Sequence, residues 1–197
     1  MSDERNRNQI VRKDARGCFV ESLNDAFGIG KAHFAFAAYD MKRPSGQRQT
    51  DCVHIYMDVG ELLELCREAE SGELRAMLHE KRRSGEQGAI YQHLGGTPAD
   101  RLRAIGRERV DGMSLSRTFQ LLPGAKSSFL LVADSGPGEV NAKGLIVPRF
   151  GNKPENHVAV SLSFAALCEL FLMTRTHYQA WLTAHYVAAG NKDGQRV

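Results

Sequence analysis

Thirteen residues, Val53 to Leu65 (VHIYMDVGELLEL), lie over Val158 to Leu170 (VAVSLSFAALCEL) without a gap, at an offset of 105 residues. Val, Leu, Glu and Leu recur identically at 53/158, 62/167, 64/169 and 65/170. Ile55 matches Val160 and Met57 matches Leu162. In both passages apolar residues first alternate, as in a half-buried strand. Asp58 or Ser163 then stands where a helix N-cap belongs, and apolar residues follow at helical spacing. Each passage follows a basic, proline-containing turn, Lys42-Arg43-Pro44 or Lys153-Pro154. Two matching strand-to-helix units predict an internal repeat. The strands come in runs rather than alternating with helices, which predicts an α+β fold with antiparallel sheets.

The second unit is the more apolar. From His157 to Leu162, Val158, Val160 and Leu162 alternate with polar or small residues. Beyond Ser163, the residues Phe164, Leu167, Phe171, Thr174, Tyr178, Trp181 and His185 fall on one helical stripe, which Leu170, Leu172, Met173 and Leu182 widen. A helix this apolar packs into a core or against another subunit.

A chain of 197 residues suffices for one domain with a full core. Hydrophobic residues at 42% and charged residues at 25% are ordinary for a globular protein. No apolar run is long enough to span a bilayer, so no membrane segment is expected. The start, MSDERNRNQIVRKDARG, has no apolar h-region, and Cys18, Cys52, Cys66 and Cys168 form no CxxC pair. Both features point to a reducing cytoplasm and against a disulfide or structural zinc scaffold. Residues 1–17 and 188–197 read as flexible tails around one domain at 18–187.

The net charge of +3 is too small to imply nucleic acid by itself, and its distribution is more informative. Residues 1–80 carry 11 basic and 14 acidic groups; residues 81–117 carry 8 and 4. This arginine-rich island fits a solvated linker and a phosphate-contacting surface equally.

Along the chain, residues 18–28 read as a short helix broken at Gly28-Ile29-Gly30. Lys31–Asp40 and Thr50–Asp58 alternate cleanly and predict an antiparallel hairpin with a basic loop. Gly60–Glu70 predicts a helix burying Leu62, Leu65, Cys66 and Ala69, and a second helix follows over Glu73–Lys81. Residues 89–93 suit a short strand. Thr97-Pro98-Ala99-Asp100 looks like an N-cap, N1 proline and acidic first turn of a brief helix. Strands return over 116–122, 127–134 and 144–150, with turns at Pro123-Gly124, Ser135-Gly136-Pro137-Gly138 and 151–156, and Pro148 suits an edge or a bulge. The parts are repeat 1 at about 28–83, an insertion at 84–115 and repeat 2 at about 116–187.

Over residues 28–187 this order of elements resembles the whirly family of single-stranded nucleic-acid binders; PUR-type repeat folds share the order. The most specific segment is Gly30-Lys31-Ala32 after Gly28, similar to the family's lysine-glycine-lysine-alanine-alanine-leucine motif, although Ile29 replaces the first lysine and His33-Phe34 replace its end. Tyr39-Asp40, the strand and helix at 53–66, and the terminal strand and apolar helix ending near Trp181 follow the family's order. The resemblance implies two repeats of an antiparallel meander closed by a helix, two sheets packed crosswise, and assembly into homo-oligomers such as tetramers. It also implies binding of single-stranded DNA or RNA, with little sequence preference and no enzymatic activity.

Such binding needs aromatic faces for bases and scattered cations for phosphates. The candidates are Lys31, His33, Tyr39, Lys42, Arg43, His54 and Tyr56 on the first hairpin, and Arg149, Phe150 and Lys153 on the second. Arg48 flanks the first group. Individually, these aromatics also suit core packing and the cations suit solubilising turns. A structural or accessory protein of a larger complex or mobile element is the alternative, with the apolar helix as its docking surface. No cofactor or metal is expected: His79-Glu80 has Arg83 where HExxH needs its second histidine, and Gly28-Ile29-Gly30-Lys31 is no phosphate loop. The cysteines and histidines show no nucleophile or ligand spacing.

Overall fold

The computed structural model describes residues 8–124 and 129–193, the last five by backbone alone. The fold is α+β, with two antiparallel sheets and four helices. The first sheet is a meander of β1 (Gln9–Ala15), β2 (Cys18–Leu23), β3 (Lys31–Tyr39) and β4 (Gln49–Asp58), in that spatial order. Two helices follow, α1 (Val59–Ser71) and α2 (Glu73–Ser84). The second sheet begins with β5 (Tyr91–Thr97), then α3 (Ala99–Ala104), β6 (Ser114–Pro123) and β7 (Phe129–Val140). One edge of β7 pairs with both β8 (Ile146–Pro148) and β9 (Asn156–Leu162), and α4 (Phe164–Asp193) closes the chain.

The hairpin and the helices after it form where periodicity places them. Val53, Ile55 and Met57 of β4 point inward, and α1 buries Leu62, Leu65, Cys66 and Ala69. Asp58 caps α1 in a capping box with Glu61. The Ser163 hydroxyl caps α4 by accepting from the Ala166 N–H at 3.2 Å. β9 touches each of β1 to β4, so it crosses the first sheet rather than running alongside it. Phe36, Phe119, Phe129 and Phe171 fill the space between.

Five expectations are corrected. Residues 9–15 are strand β1, not a flexible tail: Val11 and Ala15 pack on the core, and Lys13 reaches Glu169 of α4 at 2.5 Å. Residues 1–7 lie outside the described set. The segment 18–28 is not a helix but β2 followed by a 3-10 turn at Phe27–Ile29; Cys18, Val20 and Ser22 face inward with strand periodicity. Ser135-Gly136-Pro137-Gly138 is not a turn but the middle of β7. There Gly136 lies under the Phe150 ring, and a Cβ on Gly138 would sit 2.7 Å from Ser116. The Pro137 carbonyl accepts from the Arg149 N–H, so its own nitrogen faces the gap between the end of β8 and the start of β9, where no ladder donor is needed. Thr97 is the last residue of β5 and Pro98 is the cap of α3, one residue later than the composition suggested. Finally, α4 continues past Ala188 to Asp193, and residues 194–197 are outside the described set.

Candidate functional site

Strand parity sets the outer face of the first sheet. With Phe34 and Phe36 turned to the core, His33, Ala35, Ala37 and Tyr39 must face the other way on β3. Register adds Cys52, His54, Tyr56 and Asp58 from β4, and Phe19 and Glu21 from β2. Tyr56 and His54 are exposed, while Phe19 and Tyr39 are half-buried with ring centres 6.4 Å apart. Ala35 and Ala37 leave a shallow floor between these rings. The Arg12 guanidinium, paired with Asp14, stacks 3.5 Å from the Phe19 centroid.

His33 is only 2% exposed and works beneath the surface. Its Nδ1 lies 2.7 Å from Asp25 and its Nε2 lies 2.9 Å from His54 Nδ1, while its ring stacks on Tyr56 at 4.3 Å. His54 Nε2 lies 3.3 Å from the Cys52 sulfur. One assignment satisfies every contact: Cys52 donates to His54, His54 donates to His33, and His33 donates to Asp25. His54 is exposed at one side, but the desolvation of its ring where it packs on the sheet lowers its pKa, with His33 and Arg117 adding to the effect, so the neutral ring is favoured. Burial also pushes the Cys52 thiol up, and Glu21 adds to it. The sulfur therefore stays a thiol donor rather than a thiolate nucleophile.

β4 pairs only with β3, so its other side is a sheet edge, and β5 and β6 cross over it. A cavity of about 640 Å³ opens at this junction. Lys31, Tyr56 and Asp58 wall it from the first sheet; Gly95, Gly96, Leu115 and Arg117 wall it from the second. Arg101 and Ile105 come from α3 and its exit, followed by Arg107 and Arg109. Five cations thus meet one carboxylate. Gly95 stands opposite Arg117 in register, and the guanidinium donates to Thr97 Oγ1 at 2.9 Å. Arg117 also lies 6.0 Å from the Tyr56 centroid. Burial lowers its pKa; Tyr56 opposes that shift and Arg107 adds to it.

The first hairpin therefore brings together Lys31, His33, Tyr39, His54 and Tyr56 on one face, with Lys42, Arg43 and Arg48 exposed on the loop at its end. Arg149, Phe150 and Lys153 lie apart from it on the connection between β8 and β9, which is not the hairpin expected, because both strands pair with β7 and not with each other. Arg149 pairs with Glu139, Phe150 covers Gly136, and Lys153 is exposed in the turn. Sequence reasoning missed Phe19 and Arg12, hidden in segments read as helix and tail. It also left open the role of the arginine island, four of whose members line the cavity.

A scan against models of known protein families finds no match, and searches of curated proteins and of solved structures find none. No metal-holding group of three or more His, Cys, Asp or Glu occurs among the described residues. Among the same residues, no helix is long and apolar enough to cross a membrane.

Proposed function

We propose that the protein binds single-stranded nucleic acid on the outer face of its first sheet, without catalysing a reaction. The observation that carries this reading is that Phe19, Tyr39 and Tyr56, on three neighbouring strands, share one face over an alanine floor. Rings spaced along a sheet face accept unpaired bases with little regard to sequence, at about 1–3 kcal/mol per stacked base. Lys31 at one end of the hairpin and Lys42, Arg43 and Arg48 at the other are spaced to follow the phosphates. His33 supports the face from below, holding Tyr56 and His54 in place.

A whirly-like internal repeat is part of the same reading. Glu70 of α1 and Arg175 of α4 occupy equivalent positions, 105 residues apart, and meet at 2.6 Å. The equivalent strands β4 and β9 also touch. Equivalent residues meet where two copies are related about a common axis, which supports two halves paired face to face. Only the first half carries the aromatic face: His157, Ala159 and Ser161 stand where β4 has Cys52, His54 and Tyr56.

Fluorescence anisotropy with labelled oligo-dT tests the proposal. Binding that weakens steeply with salt is expected; a flat signal at low ionic strength overturns it. A second reading, an interaction protein that assembles with copies of itself, is favoured by α4. Beyond Thr174, Tyr178 and Trp181 pack on Phe27 and stack on toward His185, which is exposed together with Tyr186. Light scattering on the eluting protein tests this: assembly beyond a monomer is expected, and a strict monomer overturns it.

A further inference from the structure

The junction cavity holds more positive charge than the chain neutralises. Lys31 is matched by Asp58 at 2.7 Å, and Arg109 is held between Asp111 and Glu155. Arg101, Arg107 and Arg117 form no ion pair among the described residues. Arg117 is half-buried, and its guanidinium feels the like charge of Arg107. Two guanidiniums facing one space with no acid between them repel, and the repulsion becomes attraction when an anion lies between them.

The shape of the site narrows the anion. A backbone phosphodiester carries one charge and is contacted singly along an open surface. The cavity instead has the volume of small-ligand sites, an aromatic ring at its wall and apolar side chains from Leu102, Ile105 and Leu115. A phosphomonoester carries close to two charges at neutral pH and offers three terminal oxygens, enough for two forked guanidiniums. Tyr56, near Arg117, is placed to stack on an attached base. The His93 ring packs beside Gly95, opposite Arg117, and forms part of the same wall.

We infer that the cavity between β4 and β5–β6 binds a nucleoside phosphomonoester, held by Arg107 and Arg117 with its base against Tyr56. For a ligand that is the phosphorylated end of a strand, the inference rests on the single-strand reading above. A free mononucleotide presents the same chemistry and does not need that reading.

The experiment uses the full chain and oligo-dT of one length carrying a 5′-phosphate, a 3′-phosphate or neither, with dTMP as the free nucleotide. One of the phosphorylated strands is expected to bind about tenfold more tightly than the unphosphorylated strand, as for charge-assisted contacts from two arginines. The ratio of the two affinities is expected to fall toward one in Arg107→Gln and Arg117→Gln. Arg107 is exposed, so its variant keeps the test sound if Arg117→Gln fails to fold; melting curves of both variants report this. If dTMP binds in an Arg107-dependent way while no oligonucleotide binds, the cavity inference stands and the single-strand reading falls. If oligonucleotides bind with no preference for a terminal phosphate and dTMP gives no binding signal, the cavity inference is overturned and the single-strand reading stands. Equal weakening of all strands in both variants, with no end preference in the parent, also overturns it. If no probe binds, both fall.

Discussion

His33 Nε2 lies 2.9 Å from His54 Nδ1, and the buried His33 ring thereby joins the exposed Asp25 carboxylate to the outer face of β4. The donor chain from Cys52 through His54 and His33 to Asp25 works only while both rings are neutral on the side that accepts. Protonating His54 removes its acceptor toward Cys52 and places a cation beside Arg117.

The first prediction follows from that chain. His54 has a folded-state pKa below its ordinary value, so the unfolded chain binds the proton more readily. The stability contributed by neutral His54 is present above the unfolded pKa of about 6.5 and is lost as pH falls below it. The melting temperature is expected to drop between pH 7.5 and pH 5.5, and His54→Gln is expected to reduce that drop. Glu21 acts in the opposite sense: burial raises its pKa, so its contribution is largest in acid and is lost as pH rises. Comparing parent and variant across the same pH series isolates the histidine.

Tyr56→Ala is expected to weaken oligo-dT binding by about 1–3 kcal/mol, the value of one base–aromatic stack. The ring is 38% exposed but stacks on buried His33, so a modest fall in melting temperature is expected beside the loss of affinity. Anisotropy and a thermal melt on the same sample check both halves, and unchanged affinity contradicts the placement of bases on this face.

Replacing Lys42 and Arg43 together with alanine is expected to flatten the dependence of log K on log salt by about 1.4, at roughly 0.7 per cation on single strands. Both side chains are exposed in the hairpin loop, so stability is expected to hold. Titrations at several salt concentrations give the slope directly; an unchanged slope removes the loop from the phosphate path.

Gly96→Ala is expected to destabilise the fold by about 1–3 kcal/mol, as overpacking against a rigid partner does. Its Cβ would fall 2.1 Å from the Leu115 carbonyl oxygen, a backbone atom with little room to yield. Urea unfolding measures the change, and a neutral result shows that β5 can shift on β6.

Legibility followed the strength of the local pattern. In β4 Val53, Ile55 and Met57 alternate with outward residues, and in β3 Phe34 and Phe36 do the same, so facing and hairpin followed from period. α1 was legible because its cap, stripe and closing Gly72 agree with one another. β1 was not, because its inward residues include Lys13, whose ammonium finds its partner in Glu169, far along the chain. In β7, Gly136-Pro137-Gly138 has turn composition, and only the neighbouring Phe150, Ser116 and Ile146 explain the small residues. The candidate face was visible in part, since His33, Tyr39, His54 and Tyr56 belong to one hairpin. The cavity was not visible, because it joins Lys31 and Tyr56 to residues 95–117 across two sheets.

The close approach of Glu70 to Arg175 bears on counting. On the proposed repeat, the two halves would offer room for two equivalent grooves, and a titration would end at two strands per chain. Here β4 presents Tyr56 and His54 where β9 presents Ser161 and Ala159. On the single-strand reading, one half grips and the other serves as its brace. The equivalence point then falls at one strand per chain, and any larger capacity must come from a larger number of chains.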